Sequence, residues 1–125
     1  MAAVKLYNKE GDDKAKRIQE SIEKQFGFLP EVFQAMGSNG DFLDCMVKLS
    51  GAAGKNLDPK TKELIGIAVS AVNGCAYCLE GHRALALKAG ITEEEITGAL
   101  EVAAQTSAFN AFNKAICLNH DIKAS

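Results

Sequence analysis

The feature that most constrains the fold is a strongly apolar segment, residues 64–72, which lies between a helix start and a turn. Asp58 followed by Pro59 is typical of a helix N-terminus, because aspartate accepts a free backbone N–H and proline fits the first turn. Asn73 and Gly74 predict a turn at the other end. We expect this helix at the centre of the core, since it is apolar almost all round. The apolar stretch is too short to cross a membrane.

The rest of the chain also has helical patterns. Apolar residues recur at helical spacing, short breakers separate the segments, and no segment has the long, alternating, β-branched pattern of a strand. The expected helices cover residues 13–26, 31–36, 41–50, 58–73, 75–88, 92–105 and 107–118. The sequence therefore predicts an all-α single domain over residues 1–125, with a central helical hairpin. A thioredoxin domain is excluded, because it needs a βαβ sheet.

The composition argues against several classes of protein function. The chain has 125 residues, 47% of them hydrophobic, which is enough for a core without a disulfide framework. A net charge of −2 gives no basic face for nucleic acid. The polar first thirteen residues lead us to expect no secretory leader and a cytoplasmic location. In that reducing compartment, a close pair among the four cysteines indicates catalysis or metal binding.

The segment that carries chemistry is Cys75-Ala-Tyr-Cys78-Leu-Glu-Gly-His82. Residues three, four and seven apart share one face of a helix, so the two cysteines and the histidine form a stripe. Cys75 stands at the expected helix start, where the positive dipole end and free amides favour a thiolate. His82 leans back toward Cys78 and can take the proton of its thiol.

Glu63 joins this stripe if the two helices form a hairpin about the turn at Asn73. At about 1.5 Å per residue, Glu63 lies roughly 15 Å below the turn, His82 roughly 11 Å and Cys78 roughly 5 Å. Glu63 is then nearest His82, and the implied order is Glu63–His82–Cys78–Cys75. A carboxylate that orients an imidazole fixes its tautomer and makes it a better general base.

The Glu63 … Cys75-x-x-Cys78-x-x-x-His82 pattern, with eleven residues between Glu63 and Cys75, resembles the alkylhydroperoxidase D-like family. The wider superfamily includes the carboxymuconolactone decarboxylases. The resemblance covers about residues 57–104, including Lys62-Glu63-Leu64, Asn73-Gly74-Cys75 and the Ala-Gly-Ile-Thr-Glu-Glu-Glu-Ile stretch at 89–96. One departure is Tyr77, which stands where the alkylhydroperoxidase itself has a further histidine.

The resemblance implies an AhpD-like helical fold and an alkylhydroperoxidase-like peroxidase. One cysteine would attack a peroxide, become a sulfenic acid and be captured by the other as a disulfide. The substrate would be a hydroperoxide or a protein disulfide, and a dithiol donor, a lipoyl or thioredoxin-like protein, would restore the pair. Catalytic roles would fall to Cys78, Cys75, His82 and Glu63, with no bound cofactor or metal. Family members form trimers or hexamers, so we expect a homo-oligomer. The decarboxylase branch lacks the cysteine pair, which argues against decarboxylation.

Other interpretations use the same residues. The cysteine pair and His82 are acceptable zinc ligands, with Glu63 as a fourth, which predicts a zinc-binding interaction protein. A redox-sensing protein with little turnover is a further alternative, and so is a buried structural pair. Within the redox interpretation, proximity to His82 favours Cys78 as the attacking thiol, whereas the helix dipole favours Cys75. We prefer Cys78. The remaining cysteines, Cys45 and Cys117, are expected to fill the core.

Overall fold

In the computed structural model, which describes residues 1–124, the chain forms α-helices and connecting turns, and no strand occurs in that part. The helices are α1 (Asp13–Phe26), α2 (Glu31–Ala35), α3 (Gly40–Ala52), α4 (Pro59–Asn73), α5 (Ala76–Lys88) and α6 (Glu93–Ile116). The all-α prediction is confirmed. The helices form two compact units, Met1–Lys55 and the chain from Asn56 onward. A single domain over residues 1–125 stays a prediction.

One carboxylate joins two helices of the first unit. Asp12 accepts the Ala15 N–H at 2.8 Å, which caps α1, and the Gly40 N–H at 2.7 Å, at the start of α3. These backbone hydrogen bonds hold the pKa of Asp12 below its usual value, because they stabilise the ionised form. The core beneath them consists of Ala15, Ile22, Leu29 and Leu43.

The start of α3 differs from the sequence prediction. We expected Asp41 to cap a helix ending near Ser50, but the cap is Asn39 and the helix runs over Gly40–Ala52. The Asn39 side chain accepts the Phe42 N–H at 3.1 Å, so the first turn begins two residues earlier than an Asp41 cap would allow.

The second unit contains the predicted hairpin. Asp58 accepts the Thr61 N–H at 3.0 Å and caps α4, and Gly74 ends that helix in the left-handed region at φ +72°. This conformation suits glycine and reverses the chain into α5. Helix α6 packs against α4, and its capping box of Thr92 and Glu95 is present as predicted. The shared core is Ile67, Ala86, Ile91 and Ile96.

The last two helices predicted from the sequence form a single helix in the structure. We expected a break near Thr106, but α6 continues through Glu93–Ile116. No glycine or proline lies between Gln105 and Ser107, and serine and threonine only weakly disfavour a helix interior, so nothing there ends it. Cys117 follows in the left-handed region at φ 48°.

The expectation that α4 is buried all round is wrong for one face. Ile67 is fully buried, but Ile65, Val69 and Val72 are about half exposed or more. Helices α5 and α6 pack against α4, while these three residues, four and three positions apart, form an exposed stripe. Hydropathy marked α4 as apolar but could not show which face its own unit covers. Among the described helices, none combines the length and apolarity required to cross a bilayer.

Candidate functional site

The two cysteines of the motif form a disulfide at the start of α5. Cys75 is the N-cap residue and Cys78 lies in the first turn, with their Cα atoms 5.3 Å apart. This separation is within the usual range for a disulfide. Cys78 is exposed and Cys75 is half-buried. The pair therefore lies at the surface, at the N-terminal end of the helix that carries it.

Local backbone structure places Cys75 at this position. The left-handed Gly74 turns the chain, and the Cys75 N–H then donates to the Ser70 carbonyl at the end of α4 at 3.0 Å. At the other side, Sγ of Cys75 accepts the Cys78 N–H at 3.2 Å. A sulfur that already accepts a helix N-terminal amide is well placed to carry negative charge after reduction.

Glu63 and His82 meet across the hairpin. The imidazole Nδ1 of His82 lies 2.8 Å from Oε2 of Glu63. Counting depths along the two helices predicted this neighbour for His82, and the structure places the two side chains together. The Glu63 side chain is 17% exposed and the His82 side chain 39% exposed. The pair is thus partly shielded by protein while the ring still reaches solvent.

This contact selects the tautomer of the imidazole. An ionised carboxylate can only accept a hydrogen bond, so Nδ1 carries the proton that it donates to Glu63. In the neutral ring Nε2 then bears the lone pair and is the atom that can accept a proton. The arrangement can hold a general base on α5 with its second nitrogen anchored to α4.

A glycine that sequence reasoning missed lies against this ring. A Cβ built on Gly66 would stand 2.7 Å from both Cε1 and Nδ1 of His82. The available signal was an isolated glycine inside an apolar helix, three residues after Glu63 and so on the same face. Such a glycine usually has a packing reason, and here the reason is the imidazole.

The four predicted site residues therefore form two contacting pairs, one of the cysteines and one of Glu63 with His82. Within residues 1–124 no hydrogen bond joins the imidazole to either sulfur, and in the disulfide neither sulfur has a proton to exchange. The catalytic roles of Glu63, Cys75, Cys78 and His82, and the order of the relay, stay predictions.

The remaining cysteines correct an expectation. Cys45 and Cys117 are free thiols, and both are exposed rather than buried in the core. Cys45 lies on the outer face of α3, two residues after the buried Leu43, and Cys117 follows the last turn of α6. Apolar neighbours in sequence did not show which way these side chains face. Tyr77, between the two cysteines of the motif, is about half exposed.

The sequence also left open a zinc site formed by the cysteine pair, His82 and Glu63. In the part of the chain that the structure describes, no three histidine, cysteine, aspartate or glutamate side chains converge as a metal-binding group. The two sulfurs that would act as zinc ligands are bonded to each other.

Comparison with known proteins identifies the family. The model of the carboxymuconolactone decarboxylase family matches residues 40–118. The protein named "Uncharacterized protein 4 in cox locus" of Paracoccus denitrificans is 37% identical over 105 residues, which are 82% of this chain and 94% of that protein. The chain belongs to the carboxymuconolactone decarboxylase family. Its alkylhydroperoxidase-like resemblance is supported by relatives with that name and by a solved structure.

Two such relatives are alkyl hydroperoxide reductases AhpD. That of Maricaulis maris is 33% identical over 69 residues, and that of Nocardia farcinica is 36% identical over 69 residues. Each match covers 55% of this chain, but only 40% and 38% of the respective relative. The chain thus matches less than half the length of these AhpD proteins.

The fold has a solved counterpart. The crystal structure of the alkylhydroperoxidase AhpD core from Rhodospirillum rubrum superposes with a TM-score of 0.81 at 26% sequence identity. The superposition covers 97% of this chain and 95% of that one. The predicted AhpD-like helical fold is therefore confirmed.

Proposed function

We propose that this chain is a thiol-dependent peroxidase that reduces organic hydroperoxides through a dithiol–disulfide cycle of Cys75 and Cys78. The observation that carries the proposal is the arrangement on α5. A surface disulfide at the helix N-terminus lies one to two turns before an imidazole that a carboxylate on α4 holds by Nδ1. The AhpD relatives and the AhpD core structure support the same activity class.

In the first step, Cys78 attacks the hydroperoxide. His82 Nε2 takes the thiol proton, the thiolate attacks one peroxide oxygen, and the O–O bond breaks. The sulfur becomes a sulfenic acid, and the leaving alkoxide takes a proton to become an alcohol. The Glu63 carboxylate stabilises the imidazolium that forms in this step. Sulfur is oxidised by two electrons and the hydroperoxide is reduced by two.

In the second step, Cys75 captures the sulfenic acid. Its thiolate attacks Cys78 sulfur, the S–O bond breaks, and hydroxide leaves as water after protonation. The amide of Cys78 already points at Cys75 Sγ, which favours the thiolate form of the resolving residue. Exposure supports the same division of roles, because Cys78 is the more exposed residue of the two.

A dithiol donor closes the cycle. A lipoyl or thioredoxin-like protein attacks one sulfur of the exposed disulfide, forms a mixed disulfide, and leaves as its own disulfide when its second thiol attacks. Release of Cys75 is favoured, because a thiolate stabilised at the helix N-terminus is the better leaving group. The same surface access would also let a protein disulfide serve as oxidant. A reducing cytoplasm is the compartment in which we place this cycle.

We further propose that the chain works as a homo-oligomer, a trimer or a hexamer. The support is the exposed apolar stripe on α4, together with exposed apolar side chains on the neighbouring α6. These α6 residues are Val102, Phe109, Phe112 and Ile116. Exposed apolar side chains grouped on two packed helices are typical of surfaces through which proteins associate.

Turnover with a dithiol donor tests the peroxidase proposal. Reduced protein is given cumene hydroperoxide and dihydrolipoamide, and loss of hydroperoxide is followed. We expect multiple turnovers in the wild type and at least about a 100-fold loss in Cys78→Ser, which lacks the attacking thiol. Cys45→Ser and Cys117→Ser are the matched controls, because both remove exposed thiols outside the motif, and both should retain activity.

Two outcomes would overturn the proposal. Stoichiometric zinc that survives dialysis of the freshly reduced protein would indicate a zinc-binding protein. If the cysteine pair is oxidised once and no turnover follows with any of the dithiol donors added, the protein is a redox sensor.

The position of the sulfenic acid in the single-cysteine variants tests which cysteine attacks. Stable sulfenate on Cys75 in Cys78→Ser, with none on Cys78 in Cys75→Ser, would reverse the assignment.

A further inference from the structure

The position of Gly66 has a consequence for the imidazole of His82. A Cβ at Gly66 would meet three consecutive ring atoms of His82, with Cε1 and Nδ1 at 2.7 Å and Cγ at 3.0 Å. Real Cβ atoms essentially never approach a heavy atom within 3.0 Å, so the ring would have to move. A ring that moves away from α4 while Glu63 stays in place loses its 2.8 Å hydrogen bond to the carboxylate.

The same three distances show how the ring lies against α4. They place the added Cβ over the face of the ring, beside the Nδ1–Cε1 bond, so the face of the imidazole lies against Gly66. In this position Nδ1 lies 2.8 Å from Oε2 of Glu63. The missing side chain at Gly66 is therefore the space that lets the ring lie close enough to α4 to reach the carboxylate. A helix-interior glycine is otherwise unfavourable relative to alanine, so this space has a stability cost.

We infer that Gly66 is a positioning residue, which holds His82 in the orientation that joins Nδ1 to Glu63 and leaves Nε2 available. Its importance for peroxide reduction rests on the proposed function, whereas its effect on the imidazole does not. Any larger residue at this position separates the imidazole from its carboxylate without removing either group.

Stability in two backgrounds tests the steric part. Gly66→Ala should lower the melting temperature of the wild type, because the ring is displaced. In a His82→Ala background the same change should raise the melting temperature, because the added methyl group then meets no ring. Gly81→Ala is the matched control on α5, since a Cβ there meets nothing within 4 Å. It should raise the melting temperature in both backgrounds.

Nitrogen NMR of the imidazole tests the orientation. The chain has two histidines, and His120 in the exposed C-terminal segment supplies the reference signal. In the wild type His82 should have the proton on Nδ1. In Gly66→Ala the His82 signals should move toward those of His120, as expected for a ring that is a mixture of the two tautomers. Gly81→Ala should leave the His82 spectrum unchanged.

Kinetics connect the orientation to the chemistry. The rate of sulfenic acid formation on Cys78 should fall about tenfold in Gly66→Ala, the loss typical of disturbing a residue that orients a functional group. In a Glu63→Ala background, where the imidazole has no partner on α4, the same glycine change should cost less than about twofold, because both changes remove the same interaction. Gly81→Ala should react at the wild-type rate.

The possible results separate the two proposals. Gly66→Ala that stabilises both backgrounds and leaves the His82 tautomer unchanged overturns the positioning role. A wild type that fails to react with hydroperoxide overturns the peroxidase proposal alone, since the stability cycle and the spectra still decide the role of Gly66. A rate loss in Gly66→Ala that is fully retained in the Glu63→Ala background also overturns the positioning role, because the effect then does not pass through the carboxylate.

Discussion

Replacing Glu63 with glutamine should slow the reaction of Cys78 with hydroperoxide while leaving the fold intact. The amide has the shape of the carboxylate and its carbonyl oxygen can still accept the Nδ1–H of His82. What is lost is the negative charge beside the imidazolium that forms when His82 takes the thiol proton. The ground state, with a neutral imidazole, is affected much less than the charged state that follows.

The magnitude follows from the geometry of the pair. With Nδ1 2.8 Å from Oε2, the charge centres are about 4 Å apart, which gives about 1 kcal/mol in water and about 4 kcal/mol in a protein-like surrounding. The His82 side chain is 39% exposed, so solvent screens part of this attraction. We expect about 1.5 to 2.5 kcal/mol, which is a rate loss of about 10- to 70-fold.

Stopped-flow measurement of the reduced protein with cumene hydroperoxide gives the rate, followed by trapping of sulfenic acid. Glu80→Gln is the matched control, because it removes the same charge from an α5 side chain that is 74% exposed and lies 4.0 Å from Arg83. It should change the rate by less than about twofold. A Glu63→Gln rate that equals the control rate would refute the role of the carboxylate.

Three further predictions concern stability and assembly. Ile67→Ala, at a fully buried core position, should lower the free energy of unfolding by about 2–5 kcal/mol in urea titration, and a change below about 1 kcal/mol would contradict the packing of the second unit. The pKa of Asp12 is lowered by hydrogen bonds from Ala15 and then Gly40, so its contribution to stability is present above the usual value of 3.8 and is lost as pH falls below it. Asp12→Asn should therefore show a smaller acid-induced loss of stability than the wild type in melting curves, and an equal loss would remove Asp12 as the cause. Val72→Glu should dissociate the oligomer, because it puts a charge on the exposed stripe of α4, and sedimentation velocity should show a monomer where the wild type sediments as a trimer or hexamer. A wild type that sediments as a monomer would contradict the proposed assembly.

The α4–α5 hairpin and the side chains that meet across it could be predicted, because the sequence patterns that define them are local. The Asp58 cap and the Gly74 turn are set by residue types with one strong conformational preference. Once these two points are fixed, the rise of 1.5 Å per residue gives the relative depth of every α4 and α5 residue. That arithmetic placed Glu63 beside His82, and the structure has them in contact at 2.8 Å.

The exposure of α4 could not be predicted in the same way. An all-apolar helix has no polar face to indicate its orientation, so periodicity does not distinguish the face of Ile67 from that of Val69. Only the packing of α5 and α6 decides this. The exposed cysteines follow the same rule, since Cys45 has apolar neighbours along the chain but lies on the outer side of its helix.

The role of Gly66 could not be predicted, because it depends on the placement of a side chain on another helix. Its function in packing follows from the rotamer of His82, which in turn follows from the hydrogen bond to Glu63. A glycine in an apolar helix signals close approach by something, but the partner is known only when both helices are placed.

The central claim is that Cys75 and Cys78 exchange two electrons with a hydroperoxide. The most direct measurement mixes fully reduced protein with one equivalent of cumene hydroperoxide, without a donor, and counts both products by mass spectrometry. The account predicts one alcohol per hydroperoxide and one Cys75–Cys78 disulfide per alcohol, with Cys45 and Cys117 still reduced. Unconsumed hydroperoxide beside a protein that remains a dithiol would contradict it, and so would oxidation spread equally over the four cysteines.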